Sequence, residues 1–272
     1  MPHPSTQGGK IQARDPSKPP ATPIPASTLL VVAPLSSSEP GYGQKGGFRV
    51  LMIKRSSHGF FGSLTVFPGG KIDPVDSSDV FASLKRHPRS TKSGAEFHSW
   101  EAAVGAVRET FEETGVLILG KSVRSLDSEA IEQWRKKASK SPKEFVKMCE
   151  SLDVTPNIER VAPWSRWITP PMAPKRFDTR FFLTTLSKPI VASTTVSADG
   201  HESTALAWLK PLEALELAKK KEIHLIIPQV KTLEQLSEHT FNELEEFVIG
   251  TREQSSVSLT PTIPGVPPVN KL

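Results

Sequence analysis

Residues 108–115 read RETFEETG. Glu109, Glu112 and Glu113 fall at i, i+3 and i+4 of a helical run that Gly115 closes, so their carboxylates converge on one turn. The placement is locally unfavourable. Anions in the last turn oppose the helix dipole at a cost of ~0.3–1 kcal/mol, and the Glu109–Glu113 pair adds ~0.2–0.5 kcal/mol of repulsion. Full solvation would make this tolerable. A hard divalent cation such as Mg²⁺ would do more, because it takes a few carboxylate oxygens, waters and the oxygens of a bound phosphate. Upstream, the glycine-rich turn FPGG (67–70) can bring the backbone carbonyl of Gly70 to the same place. Gly105, one turn back on the acid face, leaves room for a close approach.

The elements that must position these groups follow from periodicity. Trp100, Val104, Val107 and Phe111 recur at helical spacing, and alanines support a helix over 98–114. On a wheel the three glutamates lie nearly opposite that stripe. The wheel therefore predicts a helix with one buried face and one acidic face. Short β-rich runs at 27–35, 47–56 and 64–72 precede it. Alternation predicts strands over 176–186 and 203–210. Residues 126–152 carry two helices, the second opened by Ser141, Pro142 and Glu144 as a capping box. Helices follow over 211–221 and through most of 230–249. Strands and helices interleave, which predicts an α/β fold with a mixed sheet and helices on both faces. Proline-rich tails occupy 1–26 and 252–272, leaving one domain over 27–251. Residues 73–97 lack a sustained period and form an inserted loop with one helical turn around DVFASLKR.

Composition narrows the function classes. The chain has 272 residues and a formal net charge of +5. That charge is diffuse and lacks aromatic-basic clusters, which argues against nucleic acid. No apolar run approaches the ~20 residues of a membrane span. Cys149 is the sole cysteine, so neither an intramolecular disulfide nor a cysteine-based zinc site is available. The C-terminal Asn270-Lys271-Leu272 is similar to the Ser-Lys-Leu peroxisomal address, with Asn in place of the small residue. It makes a peroxisomal import receptor an expected partner, and the cytoplasm the alternative location.

Gly70 together with Arg108-Glu109-Thr110-Phe111-Glu112-Glu113-Thr114-Gly115-Val116 resembles the Nudix box, G-x5-E-x7-R-E-U-x-E-E-x-G-U with U apolar. The second half matches except at Thr110, where the family prefers an aliphatic residue. Asp76 stands in the slot of the first glutamate, and an insertion of about 24 residues separates it from Arg108 relative to the pattern. An insertion at this place is shared by the Nudix branch that cleaves coenzyme A. LMIKRSSHGFFGSLTVFPGG, FVKMCESLDVTPNI, WSRWITPP, KRFDTRFFL and KEIHLIIPQ resemble segments of that branch, in its order.

The resemblance implies an α/β/α Nudix sandwich with extra helices and Mg²⁺- or Mn²⁺-dependent pyrophosphatase activity. Its expected substrate is coenzyme A or acyl-CoA, cleaved to 3′,5′-ADP and (acyl-)4′-phosphopantetheine. ADP-ribose, NADH or another nucleotide is the alternative. A binding-only Nudix protein is disfavoured because all three box glutamates are kept. Implied roles are Glu109, Glu112, Glu113 and the Gly70 carbonyl as metal ligands, with Arg108 orienting a glutamate or the adjoining loop. Glu112 or Glu202 would act as general base, with His201 beside the latter. Arg55, Arg176 and Asp178 are the expected substrate contacts. Arg176, Asp178 and Arg180 alternate along one strand and so share a face. Trp164 and Trp167 are expected in the core.

Overall fold

The computed structural model describes residues 19–56, 63–86, 99–120, 127–189 and 203–250. Its organising element is strand β1 (Ile24–Pro34), whose residues from Ala26 to Ala33 are all buried. The unbroken apolar stretch from Leu29 to Ala33 within it suits a strand covered on both faces. It pairs in parallel with β6 (Phe177–Thr185) and antiparallel with β2 (Phe48–Arg55). The sheet order is β3-β2-β1-β6-β5, with β3 at Thr65–Val66 and β5 at Ala162–Ile168. A short strand β4 (Gly69–Lys71) pairs with the start of β1, and β7 (Ser203–Leu209) with β2.

Two helical layers cover this sheet. One contains α1 (Trp100–Thr114), α2 (Ser128–Ala138) and α3 (Pro142–Ser151). The other contains α4 (Pro211–Lys219), α5 (Ile227–Ser237) and α6 (Phe241–Gly250). Alternation along β1 divides the core accordingly. Leu29, Val31 and Ala33 pack with Val104, Val107 and Phe111 of α1, whereas Leu30 and Val32 pack with Leu233, Leu236 and Leu244. The architecture is an α/β/α sandwich with a mixed sheet. Trp164 is buried and Trp167 packs against the second cluster, so both serve the core.

Three local expectations are corrected. First, β1 begins at Ile24, so the N-terminal tail is shorter than 1–26; the Ile24 amide donates to the Arg176 carbonyl at 2.9 Å and starts the parallel pairing. Second, Gly69 and Gly70 form strand β4 rather than a hairpin turn, because β1 offers them pairing partners at Thr28 and Ser27. Third, Ser141 makes no side-chain cap, and Glu144 pairs with Lys147 instead. The helical turn expected around DVFASLKR is present. Pro74–Ser77 and Asp79–Arg86 are 3₁₀ segments, with the side chain of Phe81 wholly buried. Both tails beyond these bounds, and residues 87–98, lie outside the described residues. Among the described residues no helix is long and apolar enough to cross a membrane.

Candidate active site

Helix α1 starts where Ser99 accepts a hydrogen bond from the Ala102 amide at 3.2 Å, and ends at Gly115 in the left-handed conformation with φ of 74°. A C-terminal glycine is the usual solution to that geometry. The acid face differs from the wheel's picture. Glu112 and Glu113 are only 9% and 4% exposed, and Arg108, one turn before Glu112, is 1% exposed. The face that should have met water meets β4 and the 3₁₀ segment at Pro74–Ser77.

Arg108 organises this face. Its Nε and Nη2 donate to Asp76 Oδ1 and Oδ2 at 2.7 and 3.0 Å, the paired geometry in which guanidinium meets carboxylate best. Nη2 also donates to the Lys71 carbonyl at 3.0 Å. Nη1 reaches Glu109 Oε1 at 2.9 Å and Glu112 Oε2 at 3.1 Å. One buried cation therefore holds the inserted segment, strand β4 and two box glutamates together. Burial disfavours its charge, but the carboxylates of Asp76, Glu109 and Glu112 outweigh that and hold the guanidinium protonated. Thr110, the departure from the box pattern, is fully buried and satisfies its hydroxyl by donating to the Ala106 carbonyl at 2.7 Å.

Strand β4 meets the acids at contact distance. The Gly69 amide donates to Glu113 Oε2 at 2.9 Å. A Cβ on Gly70 would lie 2.5 Å from the Glu109 carboxylate, so only glycine admits that side chain where it stands. Gly105 is required in the same way, since its Cβ would lie 2.8 Å from Asp76 Oδ2. Glu112 is the electrostatic outlier. Burial, and then the charge of Glu109, push its carboxyl up to about 8 against the pull of Arg108. Its Oε1 is buried with no hydrogen-bond partner.

These residues fit a hard cation. The donors are all oxygens, and the unpartnered Glu112 oxygen is what a positive ion would satisfy. Among the described residues no three acidic, histidine or cysteine side chains are grouped so as to hold a metal ion by themselves. An open arrangement suits Mg²⁺, which keeps several waters and shares the rest of its shell with substrate phosphates.

The negative end of α1 has a second cation beneath it, one the sequence reasoning missed. Arg135 of α2 is 3% exposed. Its Nη1 donates to the Glu113 carbonyl at 3.4 Å, and its stem lies 3.2 Å from where a Cβ on Gly115 would be. Glu132 holds its guanidinium, with Nε to Oε2 at 3.0 Å. α1 has no basic residue in its own last turn, so the counter-charge is supplied from the next helix.

The other expected site residues are less concentrated. Arg55 ends β2 and is half-buried. Arg176 spends its donors on backbone, Nε to the Thr169 carbonyl and Nη1 to the Ala21 carbonyl, both at 2.9 Å. Asp178 accepts from Arg166 Nε and Nη2, both at 2.7 Å. Burial raises its carboxyl, but those bonds and the charges of Arg166 and Arg180 prevail and leave it below the usual range. His201 and Glu202 lie outside the described residues. Arg166 carried no periodic signal; only strand register reveals it.

A helix tipped with carboxylates, docked on a glycine strand inside an α/β/α sandwich, defines the Nudix class. The comparisons agree. Residues 99–236 match the family model for the NUDT19 Nudix domain. The chain is 32% identical over 277 residues to Acyl-coenzyme A diphosphatase NUDT19 of Xenopus laevis, covering 82% of this chain and 72% of that protein. It is 31% identical over 246 residues to the Homo sapiens protein of the same name, covering 75% and 64%. The crystal structure of a NUDIX hydrolase from Alicyclobacillus acidocaldarius has a TM-score of 0.66 at 22% identity, over 83% of this chain and 96% of that one, a likeness of fold. The chain belongs to the Nudix hydrolase family, and within it to the NUDT19 group.

Proposed function

We propose that the protein is a divalent-cation-dependent diphosphatase acting on coenzyme A and acyl-CoA, releasing 3′,5′-ADP and (acyl-)4′-phosphopantetheine. The observation that carries the chemistry is the buried, partnerless Oε1 of Glu112 in the acid turn of α1. Relatives covering most of the chain bear the name acyl-coenzyme A diphosphatase, which supports the substrate.

Glu109, Glu112 and Glu113 would hold Mg²⁺ or Mn²⁺, with the Gly70 carbonyl as a further donor. When bound, the ion would supply charge neutralisation on the diphosphate oxygens. Arg108 orients Glu109 and Glu112 and keeps their carboxylates from swinging apart. The Gly69 amide fixes Glu113. Glu112, which stands in the acid turn beside Arg108, is one candidate base. Glu202 is the competing base. Of the expected substrate contacts, Arg55 remains a candidate for a phosphate. Arg176 and Asp178 are assigned supporting roles.

The test is a substrate panel with Mg²⁺ or Mn²⁺: coenzyme A, acyl-CoAs, ADP-ribose, NADH and diadenosine polyphosphates, with products separated. Release of 3′,5′-ADP is the expected result. Cleavage of ADP-ribose or NADH with coenzyme A untouched would overturn the substrate assignment and leave the Nudix chemistry standing.

A further inference from the structure

The hairpin between β5 and β6 leaves apolar side chains in water. Ile168, the last residue of β5, is 44% exposed, and Met172 in the following loop is 67% exposed. A lone surface hydrophobe needs no explanation, but here the backbone is built to present the pair. The Ala173 amide donates to the Pro170 carbonyl at 3.1 Å, closing a turn with Pro171 and Met172 at its centre. A proline at the first central position pre-sets that geometry. At the neck, the Thr169 amide donates to the Phe177 carbonyl at 2.9 Å and the Phe177 amide to the Thr169 hydroxyl at 3.0 Å. Arg176 fastens the neck to the N-terminal segment through the Thr169 and Ala21 carbonyls. The tip is held before anything binds it, so a ligand need not supply the ordering.

Register places this tip relative to the acid turn. Gly70 of β4 pairs with Ser27 of β1, Ser27 with Arg180 of β6, and Arg180 with Arg166 of β5. Three inter-strand steps of ~4.8 Å put β5 ~15 Å from Gly70. Asp178 and Phe182 share a face of β6 by alternation, and Phe182 packs in the core cluster around α1. Ile168 pairs with Asp178 and so faces α1 as well. The absent Cβ of Gly70 points at Glu109 of that helix. Acid turn and tip therefore stand on one face of the sheet, near the start of β1. Between them the surface carries the half-buried polar side chains of Arg166, Asp178 and Arg180.

We propose that the β5–β6 tip, through Ile168 and Met172, is the binding site for the acyl chain of an acyl-CoA. The inference rests on the coenzyme A assignment and deepens it. Length decides which part of the substrate arrives there. The pantetheine arm has about twelve chain atoms between the diphosphate and the sulfur, as many as about four peptide residues, and extends ~14 Å. That matches the ~15 Å from Gly70 to β5, so the thioester reaches the tip and the chain beyond it lies against Ile168 and Met172. The nucleoside is joined directly to the diphosphate and stops short. The amides of the arm cross the polar strip, and only the acyl group is as apolar as the tip. The unbranched, polarisable side chain of methionine adapts to chains of different length.

The experiment measures kcat/KM for coenzyme A, butanoyl-CoA and octanoyl-CoA at saturating Mg²⁺. The wild type should favour octanoyl-CoA. Ile168→Ser and Met172→Ser should each lower its kcat/KM about 10-fold, the scale of a lost methylene contact, and stay within about twofold of wild type on coenzyme A, which has no acyl group. Met172→Leu should keep most of the preference. Both side chains are exposed, so melting temperatures should not move. Calorimetry with octanoyl-pantetheine against pantetheine, without metal, reads the contact apart from turnover. The wild type should bind the acylated compound more tightly, and the double serine variant should bind both alike. No chain-length preference in the wild type, equal losses on all three substrates, or none on any, overturns the acyl site and leaves the diphosphatase intact. So does a double variant whose only change is lost self-association in sedimentation, which would make the tip a contact between copies of this chain. Wild-type turnover of ADP-ribose but of no coenzyme A compound overturns the coenzyme A assignment instead, and the acyl site with it.

Discussion

Replacing Gly70 with alanine should separate folding from function. The new Cβ would sit 2.5 Å from the Glu109 carboxylate. Carbon–oxygen contact is comfortable near ~3.5 Å, so the carboxylate must retreat by about 1 Å. It can do so because it ends a flexible side chain. Gly70 has no positive φ, so alanine is compatible with its strand, and removing glycine freedom from the unfolded chain offsets any small strain. Melting temperature should therefore shift by only a few degrees. A misplacement of ~1 Å in a reacting group costs on the order of 100-fold in rate, or about 2.7 kcal/mol. The assay is kcat/KM for coenzyme A hydrolysis across a Mg²⁺ titration, beside a thermal melt. Loss of turnover with a raised Mg²⁺ requirement and an unchanged melt is expected. Gly69→Ala supplies the contrast. Its φ is 154° and its Cβ would strike the Ser27 carbonyl at 2.3 Å, an obstacle made of backbone, so that variant should lose stability as well as activity. Wild-type turnover and Mg²⁺ dependence in Gly70→Ala would refute the role given to Glu109 at this spot.

Glu113→Gln should keep the Gly69 hydrogen bond through its amide oxygen, and hence the fold, while losing most activity; unchanged turnover would remove Glu113 from the ligand set. Arg108→Met should destabilise by ~3–5 kcal/mol in denaturant melts, because Asp76 is left buried and unpaired, and pairing it with Asp76→Leu should restore much of that loss. Burial and the neighbouring Glu109 raise the Glu112 carboxyl to about 8, whereas ligation requires the carboxylate. Mg²⁺ binding should accordingly release protons below pH ~8 and tighten as pH rises through that value, measurable by calorimetry in buffers of different ionisation enthalpy. Cys149 is wholly buried and burial pushes its thiol up to about 12, so native protein should ignore a disulfide reagent that modifies the denatured chain.

The sequence made the carriers of chemistry legible and misjudged their surroundings. The stripe Trp100, Val104, Val107 and Phe111 identified α1, and alternation identified β6. Their buried faces are as apolar as the pattern demanded. A wheel treats everything off the stripe as wet. It cannot see that Asp76, 32 positions upstream of Arg108, returns to cover the acid face. The Gly69-Gly70 pair looked like a turn because local propensity ignores the pairing partners that β1 provides. Ser141-Pro142-Glu144 met every compositional condition for a capping box, yet Lys147 competes for the glutamate. Arg135 and Arg166 were invisible for a common reason. Each acts on residues brought near by tertiary contact, and an isolated arginine in a polar stretch has no spacing to betray it.

Arg135 ties an appendage to the machinery. Its helix stands apart from the strands that frame the acid turn, and it packs alongside α3 in a layer one could imagine trimming away. A shortened version reduced to the sheet and its nearest helices would retain Glu109, Glu112, Glu113 and the glycines packed against α1. It would nonetheless forfeit the ballast beneath Glu113, and the last turn of α1 would fray under its own repulsion. Miniaturising this enzyme would therefore call for a lysine or arginine grafted just beyond Gly115.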